Sequence, residues 1–344
     1  MKATGYSIGV GLTSACPFSC DHCYSGAGRN PVDLDPSRLF RFMDSFQVSA
    51  INLGTGESCM HPQFLPVVNE ILDRGVPLAL TTAGPSLSAL PDSTLVRLHD
   101  VDLSLDYPVA ALHDAVRAPG AFDMVLGGVR RCRELGVTVS LAMCLMKSNA
   151  EHMEGMCRLA RELGVSLRVN VYKPVFSDDP KPSFGVFWNA ISDFFRETAA
   201  VSCSEPVVNA ALAYHGNPCS SAGSPCGIHG FRISPAGEVL PCVYWGPTGI
   251  SMERIIAEPE LLEVCGATCH GAALPAECED CPWRSVCVGG CAGRRYYTGL
   301  SGPDEYCFHL RGVRPPELKP ASGSSEGYIH AGYLCTMIGR PVGS

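Results

Sequence analysis

No run of about 18 uninterrupted apolar residues occurs in this chain, which argues against a membrane-spanning helix. Nor is there a long basic block. Lys and Arg number 26 against 34 Asp and Glu, for a net charge of −8, so nucleic acid and anionic membranes are poor electrostatic partners. No repeat of solenoid length is visible. A cleavable secretory signal also fits badly: the opening MKATGYSIGVGLTSACPFSC has one lysine and a brief apolar run that merges directly into cysteines. Cleavage there would destroy the segment those cysteines occupy.

Cysteine is abundant, with 19 in 344 residues. A chain of this length has room for one large domain and a smaller one. In a small secreted protein such a count would indicate disulfides. In a long chain, an odd total and tight C-x2-C spacings indicate metal instead. The expectation is a protein of the reducing cytoplasm.

From residue 6 to about 200, short apolar or β-branched runs alternate with longer amphipathic ones, the mark of repeated βα units. Strands are expected at 6–13, 50–53, 77–81, 101–105, 137–143 and 166–172. Helices are expected at 36–46, 62–74, 93–99, 122–135 and 150–163, with one more at 184–199. Six strands are too few to close an eight-fold barrel, so the fold class is α/β, a partial (β/α)6 TIM-like barrel. Chemistry in such barrels gathers at the C-terminal ends of the strands. Beyond about residue 203, cysteine, glycine and proline dominate with little periodicity. The division expected is a barrel at 1–202, a small cysteine-rich α+β module at 203–310 and a mostly irregular tail at 311–344.

Directly after the first strand, Cys16, Cys20 and Cys23 stand as C-x3-C-x2-C. Half of a zinc site is the plain alternative, but no fourth Cys or His follows at a usual zinc-finger spacing. Three thiolates can hold three corners of a 4Fe–4S cluster and leave the fourth iron open. At the end of the second strand stand Gly54, Thr55, Gly56 and Glu57, and glycine there lets backbone approach a ligand closely. Together these motifs resemble the radical S-adenosylmethionine (SAM) enzymes. The resemblance implies that the open iron chelates SAM, which is cleaved reductively to a 5′-deoxyadenosyl radical. It also implies that the backbone of His22 contacts adenine and that the Gly54–Glu57 turn, similar to the family's Gly-Gly-Glu, receives the SAM ammonium. Ser104, Asp106 and Asn149, with Asn170 and Lys173 beyond them, sit at strand ends where relatives bind SAM. Loop capping is the alternative for each.

Further on, Cys226 and Cys242 flank Gly237 as C-x10-G-x4-C. Then come Cys278, Cys281, Cys287 and Cys291 as C-x2-C-x5-C-x3-C, and finally Cys307. Residues 231–243 read as a hairpin whose turn needs the positive φ of Gly237. This pattern resembles the SPASM domain, which adds two auxiliary 4Fe–4S clusters and brings the total to three. The resemblance implies that one auxiliary cluster takes Cys226, Cys242 and Cys291 with Cys219 as fourth ligand. The other takes Cys278, Cys281, Cys287 and Cys307.

Most of the remaining cysteines read as small buried hydrophobes. Cys59, two residues past Glu57, and Cys144, ending strand five, lie near the expected catalytic mouth. With Tyr244 they are the candidate catalytic residues, a thiol being able to return a hydrogen atom to a substrate radical. Sulfatase-maturing relatives place an aspartate base after the last hairpin cysteine. This chain has Val243 there, followed by Tyr244 and Trp245.

Peptide-modifying relatives often carry an added N-terminal recognition domain, whereas here five residues precede the first strand. On that ground the expected substrate is a small hydrophilic metabolite of natural product biosynthesis: an aminosugar, nucleoside or sugar acid undergoing epimerisation, oxidation or decarboxylation. Electrons would come from an external reductant such as flavodoxin or ferredoxin. The rivals are a peptide maturase forming thioether or carbon–carbon crosslinks, and a non-catalytic iron–sulfur electron carrier.

Overall fold

A computed structural model describes residues 5–26, 31–217, 226–270, 274–319 and 336–341. Six parallel strands form its centre: β1 (Tyr6–Val10), β2 (Val48–Leu53), β3 (Leu78–Thr82), β4 (Asp100–Ser104), β5 (Val139–Leu145) and β6 (Ser166–Val171). They pair in chain order, joined by the helices Pro36–Ser45, Phe64–Asp73, Ala121–Glu134 and Met153–Leu163 among others. This is the open, partial barrel expected of an α/β chain with six βα units.

Strand alternation explains the interior. One residue set, including Ile51, Leu53, Leu80, Val101, Leu103, Leu141, Leu167 and Val169, is buried in the core. The alternate positions are small or polar: Asn52, Thr81, Asp102, Ser104, Ala142, Cys144, Arg168 and Asn170. A two-residue period places these on the other face. Low in the barrel they satisfy one another. Arg168 pairs with Asp102, and Thr81 donates to Asp102 at 3.4 Å. Higher up, Thr81, Ser104, Ala142, Cys144 and Asn170 help line a cleft.

Several elements differ from expectation. The helix expected at 93–99 is replaced by two short ones, Pro85–Ser88 and Asp92–Leu95. Pro85 and Pro91 each stand at a helix start, where the missing N–H costs little, and so divide the segment. Two further elements, β7 (Thr198–Cys203) and the helix Pro206–Tyr214, had no periodic signal. The helix is apolar nearly all round, because almost every residue in it is buried.

The C-terminal module is built into the same sheet. The hairpin of β8 (Gly230–Ile233) and β9 (Val239–Leu240) lays β8 parallel to β1. Gly237 takes φ +81 in the connecting turn, as its spacing required. At the other end, β10 (Met337–Pro341) lies antiparallel between β6 and β7. This strand is an ordered part of a tail expected to be mostly irregular, and its Met337 and Ile338 are buried. The ten-stranded sheet thus runs β7-β10-β6-β5-β4-β3-β2-β1-β8-β9 and crosses both positions where composition suggested divisions.

Candidate active site

The segment carrying Cys16, Cys20 and Cys23 leaves β1 at the C-terminal mouth of the barrel and is clamped by the loop after β2. Glu57 N donates to Ala15 O at 2.8 Å. Gly56 has φ +56, and a Cβ there would stand 2.5 Å from Ala15 O and 2.6 Å from Thr13 O. Its neighbour Thr55 is held at φ +85, a costly conformation for a β-branched residue. The Thr55 hydroxyl lies 3.0 Å from that of Tyr24. The turn is therefore pressed against the cysteine loop, as close approach to a shared ligand requires. Gly56→Ala is expected to separate the two and weaken SAM binding by at least about tenfold, measured by equilibrium dialysis.

The Glu57 carboxylate is buried and turned away from that role. It accepts from Thr82 Oγ1, from Ser86 N at 2.9 Å and from Ala83 N at 3.1 Å. It anchors the loop after β3, which leaves Thr55 and Gly56 to line the cleft. Gly54 O receives Arg232 from β8 at 3.0 Å.

The cleft opens to solvent and, counting that open space, spans about 980 Å³. Cys16, Cys20, Cys23, His22, Thr55, Gly56, Glu57, Ser104, Cys144 and Tyr244 all line it. Gly54, Cys59, Asp106 and Asn149 stand behind the wall. Asn149 ties the loops together, donating to Asp106 O at 3.1 Å and Cys144 O at 2.8 Å. Cys59 lies on the turn beyond Glu57, its amide bonded to Ser86 Oγ.

Asp106 is fully buried and receives Arg117 through two nitrogens at 2.7 and 2.9 Å, with His22 Nε2 at 3.4 Å. Burial alone would raise its pKa. Arg117 first, then His22 and the Cys144 amide, outweigh it and hold the carboxyl at about 2. Because the folded pKa is depressed, this stabilisation is complete above about pH 4 and disappears as pH falls through about 2. Asp106→Asn is expected to flatten that acid limb, read by thermal melts from neutral pH downward. Arg117, which sequence reasoning missed, follows the short helix Ala110–Val116 with no motif around it; only folding brings it to His22.

Burial, then Glu57, Cys20 and Cys23, push the Cys16 thiol up to about 11, and burial also raises Cys20. Deprotonating Cys16 and Cys20 against that burial calls for a cationic group bound at the site. An iron–sulfur cluster is such a group. Cys144 is pushed up to about 12, by burial first and Asp106 second, and stays a thiol at neutral pH.

In the C-terminal module, Cys278, Cys281, Cys287 and Cys307 line one cavity of about 300 Å³ with Gly289 and Asp304. Cys226, Cys242 and Cys269 share a separate buried cluster with Leu240 and Trp245. Against it lies Gly293. A Cβ there would be 3.3 Å from Cys242 Sγ and 3.9 Å from Cys291 Sγ, so the missing side chain keeps open the space into which both sulfurs project. Cys219 lies outside the described residues. None of the cysteines in the described residues forms a disulfide, and no described helix is long and apolar enough to cross a membrane.

A parallel open barrel with three cysteines lining its mouth after β1 is the arrangement of a radical SAM enzyme. Residues 10–160 match the family model for the radical SAM superfamily, and the cysteine-rich C-terminal part fits the SPASM type. The family implies a 4Fe–4S cluster and SAM. The chain is 26% identical over 367 residues to the mycofactocin maturase MftC of Mycolicibacterium smegmatis, covering 96% of this chain and 91% of that protein. It is 24% identical over 316 residues to the PqqA peptide cyclase of Streptomyces rochei, covering 82% and 83%. Among solved structures, Streptococcus suis SuiB bound to its precursor peptide SuiA superimposes with a TM-score of 0.62 at 12% identity, over 88% of this chain and 76% of that one.

These relatives overturn the expectation of a small hydrophilic metabolite as substrate and partner. That expectation rested on where the chain begins, which carries no information about the cleft. The maturase and the cyclase align with this chain over most of their own lengths.

Proposed function

We propose that this chain is a cytoplasmic peptide maturase of natural product biosynthesis, forming a thioether or carbon–carbon crosslink in a short precursor peptide. One observation carries the reading: a single cleft joins the Cys16–Cys20–Cys23 mouth to Tyr244, which stands beside the Cys242 hairpin. The maturase and cyclase relatives support the choice of a peptide. When bound, SAM and the first cluster would supply reductive cleavage to methionine and a 5′-deoxyadenosyl radical that takes one hydrogen atom, and two auxiliary clusters would accept the electron released as the new bond closes, the accompanying proton passing to solvent.

Cys16, Cys20 and Cys23 would hold the SAM-binding cluster. Cys278, Cys281, Cys287 and Cys307 would hold one auxiliary cluster, and Cys226, Cys242 and Cys291, with Cys219, the other. This chain's own residues supply the setting. Asp106 fixes Arg117 and His22 at the mouth, and Glu57 braces the loop after β3. Cys144 and Tyr244 border the space a peptide would enter.

Anaerobically reconstituted protein, SAM and dithionite should convert short peptides encoded beside this chain to products lighter by two hydrogens. Deuterium from the labelled peptide should appear in 5′-deoxyadenosine. Transfer from an aminosugar or nucleoside with no change in any peptide would overturn the reading. Gly293→Val should lower bound iron and sulfide by one cluster equivalent while leaving the N-terminal cluster in place, measured by iron and sulfide assay. Full metal content in this variant would remove Cys242 and Cys291 from the proposed ligand set.

A further inference from the structure

Lys173 follows β6 and is 1% exposed, yet Nζ makes no hydrogen bond and no ion pair with any of the described residues. It lines the cleft, with Nζ 4.7 Å from the centroid of the Tyr244 ring. Tyr244 in turn meets Tyr24 edge to face at 5.3 Å. The other formal charges on that wall are committed. Arg117 is held by Asp106, and Glu57 by one hydroxyl and two backbone amides. Cys291 and Glu205 attract it and Arg294 repels it from other elements, but none is within hydrogen-bond reach of Nζ, and Glu205 Oε1 is paired with Arg294 at 2.7 Å.

An ammonium carries three donors and no acceptor. Buried without a partner it is costly unless something in the working protein receives those donors. The aromatic face satisfies part of its charge and none of its N–H groups. A carboxylate reaching into the cleft would complete it, and a charge-assisted hydrogen bond in such surroundings is stronger than one in water.

Resting on the reading of this chain as a peptide maturase, we infer that Lys173 anchors a carboxylate of the substrate peptide, with Tyr244 and Tyr24 packing beside the residue that bears it. SAM has a carboxylate too. The sheet order argues for the peptide: Lys173 follows β6, whereas Cys16–Cys23 follows β1, with four strands between. The anchor therefore leaves a different strand from the cysteine loop, and the ring packed on Nζ belongs to Tyr244, just after the hairpin.

The test uses the reconstituted enzyme with SAM bound and three probes. These are an acetylated Gly-Leu-Gly-Leu peptide with a free C-terminus, its C-terminal amide, and that amide with Glu replacing one Leu. Equilibrium dialysis of wild type, Lys173→Gln and Lys173→Arg gives the affinities. Wild type should prefer one or both acids over the neutral amide. Lys173→Gln should remove that preference, weakening acid binding roughly ten- to hundredfold, and Lys173→Arg should keep part of it. Which acid is preferred separates the C-terminus from a side chain.

The inference is overturned if wild type binds acids no better than the amide, or if Lys173→Gln weakens all three equally. It is overturned too if the variant loses SAM affinity alone, or changes only the electron paramagnetic resonance of the auxiliary clusters. Lys173-dependent carboxylate binding without modification of any peptide would instead retain the anchor and refute the maturase reading.

Discussion

Replacing Cys16, Cys20 and Cys23 together by alanine is expected to bring 5′-deoxyadenosine formation to background. The three side chains share the mouth of the barrel after β1, and no other cysteine among the described residues joins them there except Cys144 across the cleft. The loop itself should survive. It is held by main-chain bonds that alanine keeps, among them Cys23 N to Cys20 O at 3.0 Å and Ser14 N to Val32 O at 2.9 Å. The iron lost should therefore equal one cluster, with the spectrum of the C-terminal clusters retained. Chromatographic detection of 5′-deoxyadenosine beside iron analysis makes the test. Turnover that survives the triple substitution contradicts the assignment of these cysteines.

Asp304→Ala should be the most damaging single change in the C-terminal module. Asp304 is buried and accepts from Cys291 N at 2.8 Å, Tyr306 N at 3.0 Å and Arg294 at 2.5 and 3.1 Å. Arg294 also reaches Glu205, which precedes the helix Pro206–Tyr214. Removing one member of a buried ion network leaves charge uncompensated, at a cost of about 3–5 kcal/mol. The orphaned groups flank Cys291 and Cys307, so auxiliary iron should be lost along with stability. Thermal unfolding and iron content of the variant are the measurements. Arg294→Met should show a comparable loss, because it strands Asp304 and Glu205 instead. Unchanged melting in both would mean that this network does not hold the helix Pro206–Tyr214 to the cysteine-rich segment.

Much of the architecture was legible in the chain itself. The period-two strands β2 to β6 carry a strong local signal, and each falls within two residues of its expected bounds. So does the turn at Gly237, where positive φ admits little but glycine. Segments with weak local signals were not legible. The helix Pro206–Tyr214 is buried on nearly every side and shows no amphipathic stripe to detect. Strand β10 contributes only five residues, paired on both sides by β6 and β7, and its conformation comes from those partners rather than from its own composition.

The site divides along the same line. Cysteine spacing alone marked the N-terminal motif and the C-terminal series, because a cluster-binding loop must present its thiolates within a few residues of one another. Arg117 and Lys173 carry no such spacing, and their surroundings come from distant parts of the chain. Chemistry encoded by neighbours in sequence was thus determined before folding. The pairing of Arg117 with Asp106, the commitment of the Glu57 carboxylate to the loop after β3, and the burial of Lys173 against Tyr244 were decided only by tertiary structure, since charge and hydrogen bonding depend on which groups are brought within a few ångströms.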